Sequence, residues 1–307
     1  MSTCLAHGRS LTIVDLPPEL ITHILFLLNG RDIGNVSMTC QSLRAAAMVD
    51  TVWQSKCIKD YKLSTCDSWQ TTFRDIYTKV LYKYGTLLGL WQLDLNPYGG
   101  VVHVSLDHGK ILARQYSAPV NPHIRNPLRA ADLFSISLQD CDGLELFCLR
   151  GYHQPHNCEI VIGTGEFTLK CCDTQCHRHP EGKQKEFEMW VAEETGMSSP
   201  NFSAFNQGHD LLILKFITTM FHREDILSFK ALTIPSSKLS YPIQPGLFKG
   251  HYGSHGIEVV QLSYTEKASD MYKSHVSSLK GDPNVLGVVS LYGDTQANDV
   301  TDDKNRL

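Results

Sequence analysis

The 307-residue chain predicts an α+β fold: a helical N-terminal unit, then a mainly antiparallel, β-barrel-like domain with helical insertions. Three observations predict it. Apolar residues between 15 and 61 recur at helical spacing and are opened by Pro17 and Pro18. After Gly85 the pattern changes to short alternating or apolar runs punctuated by Gly, Asn, Pro and Asp, the pattern of strands and turns. Two longer runs, "KEFEMWVAEETG" (185–196) and "HDLLILKFITTMF" (209–221), interrupt them as helices. The expected divisions are 10–61 for the helical unit, 62–85 for a connecting helix, 86–292 for the β-rich domain and 293–307 for a tail. The tail is polar and acidic without periodicity and is expected to be disordered.

Taken in order, the first helix starts at "LPPEL", where a proline lacks only an N–H that has no helical partner anyway. Leu20, Ile21, Ile24, Leu25 and Leu28 then lie on one face. Gly30 stands where a C-cap is expected. Short helical pieces follow around Ile33–Thr39 and Gln41–Val49, and Trp53 falls in "DTVWQSKCIKDY". Residues 69–84 form another predicted helix, with Trp69, Phe73, Ile76, Tyr77, Val80, Leu81 and Tyr84 in a stripe and Gly85 at its end. The predicted strands are "GLWQLDL", "VVHVSLD", "KILARQY", "DLFSISLQ", "LELFCLR", "EIVIGT", "EFTLKC", "SFKALTIP" and "GIEVVQLSY". Regular short strands with turn signals point to a barrel or sandwich.

Composition excludes some classes of partner. The formal net charge is −4 and no long basic run occurs, so neither nucleic acid nor an anionic membrane is expected. The N-terminus lacks the continuous apolar core of a signal peptide, and the longest apolar stretch, Leu20–Leu28, is too short for a membrane span. An intracellular location, in the cytoplasm or nucleus, is expected, where thiols stay reduced.

The order of residues in "VDLPPELITHILFLLNGRDIGNVSMTCQSLRAAAMVDTVWQSKCIKDY" resembles an F-box. The correspondence runs through Leu16, Pro17 and Glu19, the apolar helix face, Ser37 to Cys40, Ser42–Arg44 and a closing Trp53. The resemblance implies docking on the Skp-type adaptor of a cullin–RING ubiquitin ligase. It assigns Leu16, Pro17, Ile21, Leu25 and Trp53 as the adaptor-facing residues.

Five of ten cysteines and four of fourteen histidines fall between residues 148 and 179. In a reducing compartment such a cluster reads as a metal site before a disulfide knot. A structural zinc takes four Cys or His ligands in a closed tetrahedron. Cys148, His153, His156 and Cys158 border one turn, and Cys171, Cys172, Cys176, His177 and His179 follow "EFTL". Each of two neighbouring hairpin ends thus offers two ligands, and no C-x-x-C pair singles out which four.

From Tyr84 to Asn284 the chain is similar to the F-box only protein 31 family. The matching stretches are "GLWQLDLNPYGGVV", "EFTLKC", "QPGLFKGHYGSHGIEVVQLSY" and "GDPN". The resemblance implies a structural zinc on Cys148, His156, Cys171 and His177, at spacings of eight, fifteen and six. It implies a substrate receptor that captures C-terminal tails, those of D-type cyclins included, for ubiquitination and degradation. The Gly-containing loops "GHYGSHG" and "LKGDPN" allow close backbone approach to a chain end. Tyr252, Ser254, His255 and Asp282 are the candidate substrate-binding residues; as tight turns they would serve the fold alone. Family members continue beyond "GDPN" with further strands, so a shortened, adaptor-binding competitor is the second expectation.

No catalytic constellation stands out. "GSHG" lacks the nucleophile elbow, and there is no phosphate loop and no H-E-x-x-H. A zinc-dependent hydrolase would need an open ligand position and a base such as Glu159 or Glu166. A lipid-binding barrel leaves the F-box-like segment unexplained. The chain is expected to be a non-catalytic subunit.

Overall fold

The computed structural model describes residues 12–94, 100–120, 123–139, 143–196, 212–214, 216–217, 225–234, 243–251, 257–264 and 274–278. The chain divides into two compact units. One holds residues 1–86 with 106–110 and 137–144; the other holds 87–105, 111–136 and the residues from 145 onward.

The helical unit contains α1 (Pro18–Leu27), α2 (Gly30–Ser37), α3 (Gln41–Ala47) and α4 (Asp50–Tyr61). Pro18 occupies the first turn of α1, as its missing donor allows. Gly30 does not end α1 as predicted. It is the first residue of α2, capped by the Asn29 side chain, which accepts from the Asp32 N–H at 2.9 Å. Glycine is required there by packing, because a Cβ would run into the Tyr77 ring.

The predicted 69–84 helix is shorter at its start. Trp69 lies in a separate 3-10 turn (Asp67–Trp69), and Gln70 takes a left-handed φ of 52°. The rod begins at Phe73 because Thr72 caps it and Asp50 accepts the Arg74 N–H at 3.0 Å. It then runs through α5 (Phe73–Asp75), a π-helical stretch (Ile76–Leu81) and α6 (Tyr82–Tyr84).

The core of this unit gathers Leu25, Ile33, Val52, Cys57, Ile76, Val80, Leu81 and Tyr84, all nearly without exposure. Its buried polar groups are paired. Lys56 donates to the Phe26 carbonyl at 2.9 Å, closing the C-terminal end of α1. Tyr77 donates to Asp60 at 2.9 Å, and its ring lies 5.3 Å from Trp53. Burial pushes the Cys57 thiol up to about 12, and burial with the Asp60 contact pushes the Tyr77 phenol up.

The second unit is a closed barrel of eight strands in chain order. They are β1 (Gly89–Leu93), β2 (Gly100–Asp107), β3 (Lys110–Ser117), β4 (Arg129–Leu138), β5 (Leu144–Cys148), β6 (His156–Ile162), β7 (Glu166–Cys171) and β8 (Ile226–Ala231). β8 pairs antiparallel with both β7 and β1, so the sheet closes. Alternation sends Phe167, Leu169 and Cys171 of β7 inward and Glu166, Thr168 and Lys170 the other way.

The barrel interior is filled by side chains. Phe167 stacks on Phe229 with centroids 4.3 Å apart, and Trp91 and Phe134 meet Phe167 edge-on. These four rings pack against one another at the centre of the barrel.

All nine predicted strands occur, and β9 (Gly246–His251) and β11 (Ser274–Ser278) add to them. With β10 (Ile257–Tyr264) they form a second antiparallel sheet in the order β11-β10-β9. The first predicted helical insertion is α7 (Lys183–Thr195), ended by Gly196 at φ 71°. In the second, residues 212–214 and 216–217 are helical. The rest of that insertion and the tail from 293 lie outside the described residues.

Candidate metal centre

Strand pairing brings the ligand candidates to one end of the barrel. Cys148 at the end of β5 is the register partner of His156 at the start of β6. Cys171 at the end of β7 faces Cys158, which lies two residues beyond His156 on the same side of β6. A 3-10 turn (Thr174–His177) follows, its start capped by Asp173, which accepts the Gln175 N–H at 3.0 Å. The turn swings His177 back over the strand ends, where it is buried.

One ligand atom each from Cys148, His156, Cys171 and His177 lies within 4.8 Å of the others, and all four residues are buried. The two Nε2 atoms face each other at 3.0 Å, and His177 Nε2 is 3.4 Å from the Cys148 sulfur. Two soft sulfurs and two imidazole nitrogens converging in a buried site could hold a metal ion. His156 Nδ1 is buried with no hydrogen-bond partner among the described residues. Its ring is therefore oriented by the Nε2 side of the cluster alone.

Arg150, two residues past Cys148, points its guanidinium at both sulfurs. Nη2 donates to Cys171 at 2.9 Å and Nε to Cys148 at 3.4 Å. The hydrogen bond from Cys171, then His177 and Arg150, holds the Cys148 thiol well below its ordinary range. Cys171 moves the opposite way because it keeps the shared proton. Gly151 has φ 104°, and a Cβ there would meet the Cys176 carbonyl and the His177 Cα. The Tyr152 N–H donates to the same carbonyl at 3.3 Å, so the loop after β5 lies directly on the turn that carries His177.

The other five candidates are not part of the cluster. Cys172 is exposed because it is out of phase with Cys171. Cys176 contacts Asp173, and His153 is exposed. The His179 ring lies edge-on to Tyr152, and its Nδ1 accepts the Glu181 N–H. Cys158 is in phase and buried, and burial pushes its thiol up to about 12.

Neither proposed base serves the cluster. Glu159 is exposed on the outward phase of β6, and Glu166 begins β7 while Cys171 ends it. Parity and strand length thus remove the hydrolase arrangement built on those residues. Sequence reasoning missed Arg150, Gly151 and Asp173. The stretch "CLRGY" held the first two, where a cation and a glycine follow a ligand.

The remaining candidates separate into three groups. Ile21, Leu25 and Trp53, expected to face an adaptor, are 5%, 1% and 4% exposed and belong to the helical core. Trp53 also donates its indole N–H to the Ala47 carbonyl at 2.7 Å. A residue committed to the internal core cannot also present its side chain to a partner. Leu16 and Pro17 are exposed as expected, and so are Leu20, Leu27, Met38 and Met48. Tyr252, Ser254, His255 and Asp282 lie outside the described residues. Among the described residues no helix is long and apolar enough to cross a membrane.

Comparison with known proteins assigns both ends of the chain. Residues 13–59 match the F-box-like family, and residues 229–306 match the family described as the cyclin D1 binding domain. F-box only protein 31 of Rattus norvegicus is 34% identical over 279 residues, covering 89% of this chain and 54% of that protein. The Homo sapiens protein of that name is 34% identical over 279 residues, covering 89% and 50%. F-box only protein 31-A of Xenopus laevis is 32% identical over 282 residues, covering 90% and 53%. The chain spans about half the length of the curated relatives it matches. With an F-box-like helical unit, a cyclin D1 binding match and a likeness over nine-tenths of its length, the chain is similar to the F-box only protein 31 proteins.

Proposed function

We propose that the chain is a substrate-recognition subunit of an SCF-type E3 ubiquitin ligase, and that it is not itself an enzyme. The helical unit binds a Skp-type adaptor and through it cullin and RING subunits. The β-rich part brings in substrate proteins, D-type cyclins among them, by their C-terminal tails. Ubiquitin moves from the RING-bound conjugating enzyme, so this chain contributes proximity.

The observation that carries the reading is the helical unit matched as F-box-like. It is fully packed inside, yet leaves Leu20 51% exposed, Leu27 78% and Met38 72%. Apolar side chains left outside a complete core suit burial in a partner. Leu16 and Pro17 join them as proposed adaptor contacts, replacing Ile21, Leu25 and Trp53. Tyr252, Ser254, His255 and Asp282 remain the proposed tail contacts, and the cyclin D1 binding match spans them.

The metal proposed for Cys148, His156, Cys171 and His177 is zinc. Tetrahedral zinc with sulfur at about 2.3 Å and nitrogen at about 2.0 Å has edges of about 3.3 Å between nitrogens and about 3.8 Å between sulfurs. The 3.0 Å and 3.4 Å separations support that size. Four protein ligands close the shell, so the ion would clip β5, β6, β7 and the His177 turn together.

The test is reconstitution with adaptor, cullin and RING subunits, followed by ubiquitin transfer to a D-type cyclin with an intact or a deleted C-terminal tail. Tail-dependent transfer, weakened by Asp282→Asn or Tyr252→Ala, is expected. Failure to bind the adaptor would sink the reading. Adaptor binding without tail capture would make the chain a competitor of intact receptors.

A further inference from the structure

Nine Cys and His side chains crowd the segment 148–179, yet only four converge. Alternation explains why exposed Cys172 is left out, and the Asp173 contact accounts for Cys176. Alternation does not explain Cys158. It is buried, points to the same side of β6 as His156, and is the register partner of Cys171 itself. Two thiols in that relation are alternative sulfur donors for one ion. Something beyond strand phase must favour Cys171.

The only cation with hydrogen bonds to the cluster among the described residues is Arg150, at 2.9 Å from the Cys171 sulfur and 3.4 Å from that of Cys148. Its planar fork offers donors in a fixed geometry, so holding one sulfur constrains where the second must lie. No hydrogen bond joins it to Cys158. Gly151 keeps the loop that carries the guanidinium pressed against the His177 turn, which fixes the fork over the site.

We infer that Arg150 is a positioning residue of the metal centre: it pins the Cys148 and Cys171 sulfurs together and thereby excludes Cys158 from the ligand shell. This rests on the proposal that the cluster holds zinc. Arg150 touches ligands and not the ion, so its action is through sulfur placement. N–H···S bonds also occupy sulfur lone pairs, which makes the ligated sulfurs poorer nucleophiles toward alkylating agents. Outer-shell partners of this kind commonly change metal affinity by about 10–100-fold when removed.

The experiment uses the full chain, wild type, Arg150→Met and Arg150→Lys, loaded with zinc and separately with cobalt. Zinc release to a chromogenic chelator, iodoacetamide labelling of each cysteine by mass spectrometry, and the sulfur-to-cobalt absorption band are measured. In wild type, one ion per chain, slow release and sparing of Cys148 and Cys171 are expected. In Arg150→Met, release about 10-fold or more faster, labelling of Cys171 and a shifted cobalt band are expected, with Arg150→Lys between the two. A variant that only loosens the fold would speed release without moving the band of the loaded protein. Cys158→Ala in the Arg150→Met background should restore the wild-type band. Unchanged release, labelling and band in Arg150→Met would overturn the inference while leaving the zinc site intact. Wild-type protein that takes up no zinc or cobalt would overturn both.

Discussion

The helical unit and the mouth of the barrel are stabilised in different ways. The helical unit is held by apolar contact: its largest buried side chains interlock, and its few polar groups, Lys56 and Tyr77 among them, find partners inside it. The barrel has an aromatic centre of the same kind, but its end is built from two thiols, two imidazoles and an arginine. Burial of apolar surface is non-directional and survives small shifts. A four-donor cluster is directional and loses its function when one donor leaves. The difference teaches that one chain can carry a part held by apolar burial and a part whose converging side chains could hold an ion.

Removing a donor should separate the two most sharply. Cys171→Ser is expected to empty the metal site and cost the chain about 4 kcal/mol or more. Elemental analysis and urea unfolding measure both, with adaptor binding kept near wild type. If adaptor binding fell together with metal content, the two parts would not be independent. Leu25→Ala is the reverse probe: a cavity in the helical core should cost about 3 kcal/mol with metal content unchanged. Gly151→Ala should cost about 2 kcal/mol and hasten metal release, because the new Cβ strains a left-handed φ and collides with the His177 turn.

Alkaline pH gives a smaller, graded effect on the helical core. Cys57 is pushed up from 9.0 to about 12, so its contribution is fully present below pH 9. It is lost as pH rises from 9 towards 12, because the unfolded chain sheds that proton first. Urea unfolding at stepped pH should show the fall, and Cys57→Val should make it shallower. Leu20→Ala should change stability least, by under about 0.5 kcal/mol, yet weaken adaptor capture. A large stability loss there would mean that Leu20 is core and not a contact.

The helical order and every barrel strand up to β8 were legible because their signals are local: proline at a helix start, alternation, glycine at turns. Periodicity could not say which apolar residues of α1 face inward, since Leu20 and Ile21 are adjacent and a docking face looks like a core face. Gly30 misled because a glycine required by a distant ring, Tyr77, resembles a C-cap in sequence. β9 escaped notice because "GLFKGH" reads as a glycine-rich loop until β10 pairs with it. At the metal centre, phase along "EFTLKCC" separates Cys171 from Cys172, but nothing in phase separates Cys171 from Cys158. That distinction depends on a guanidinium placed by a turn, which is tertiary information.

Barrel closure has a consequence for the order of events during synthesis. The seam joins Trp91 to Ala231, so any sheet formed by β1 to β7 before β8 is made would have both edges bare. All four ligands lie between Cys148 and His177, ahead of β8. An ion captured at that stage would rivet three neighbouring strands before the closing strand exists. Such a clip, if the proposed ion binds, would act as a clamp on an unfinished object, and its cost under metal shortage would fall first on nascent chains.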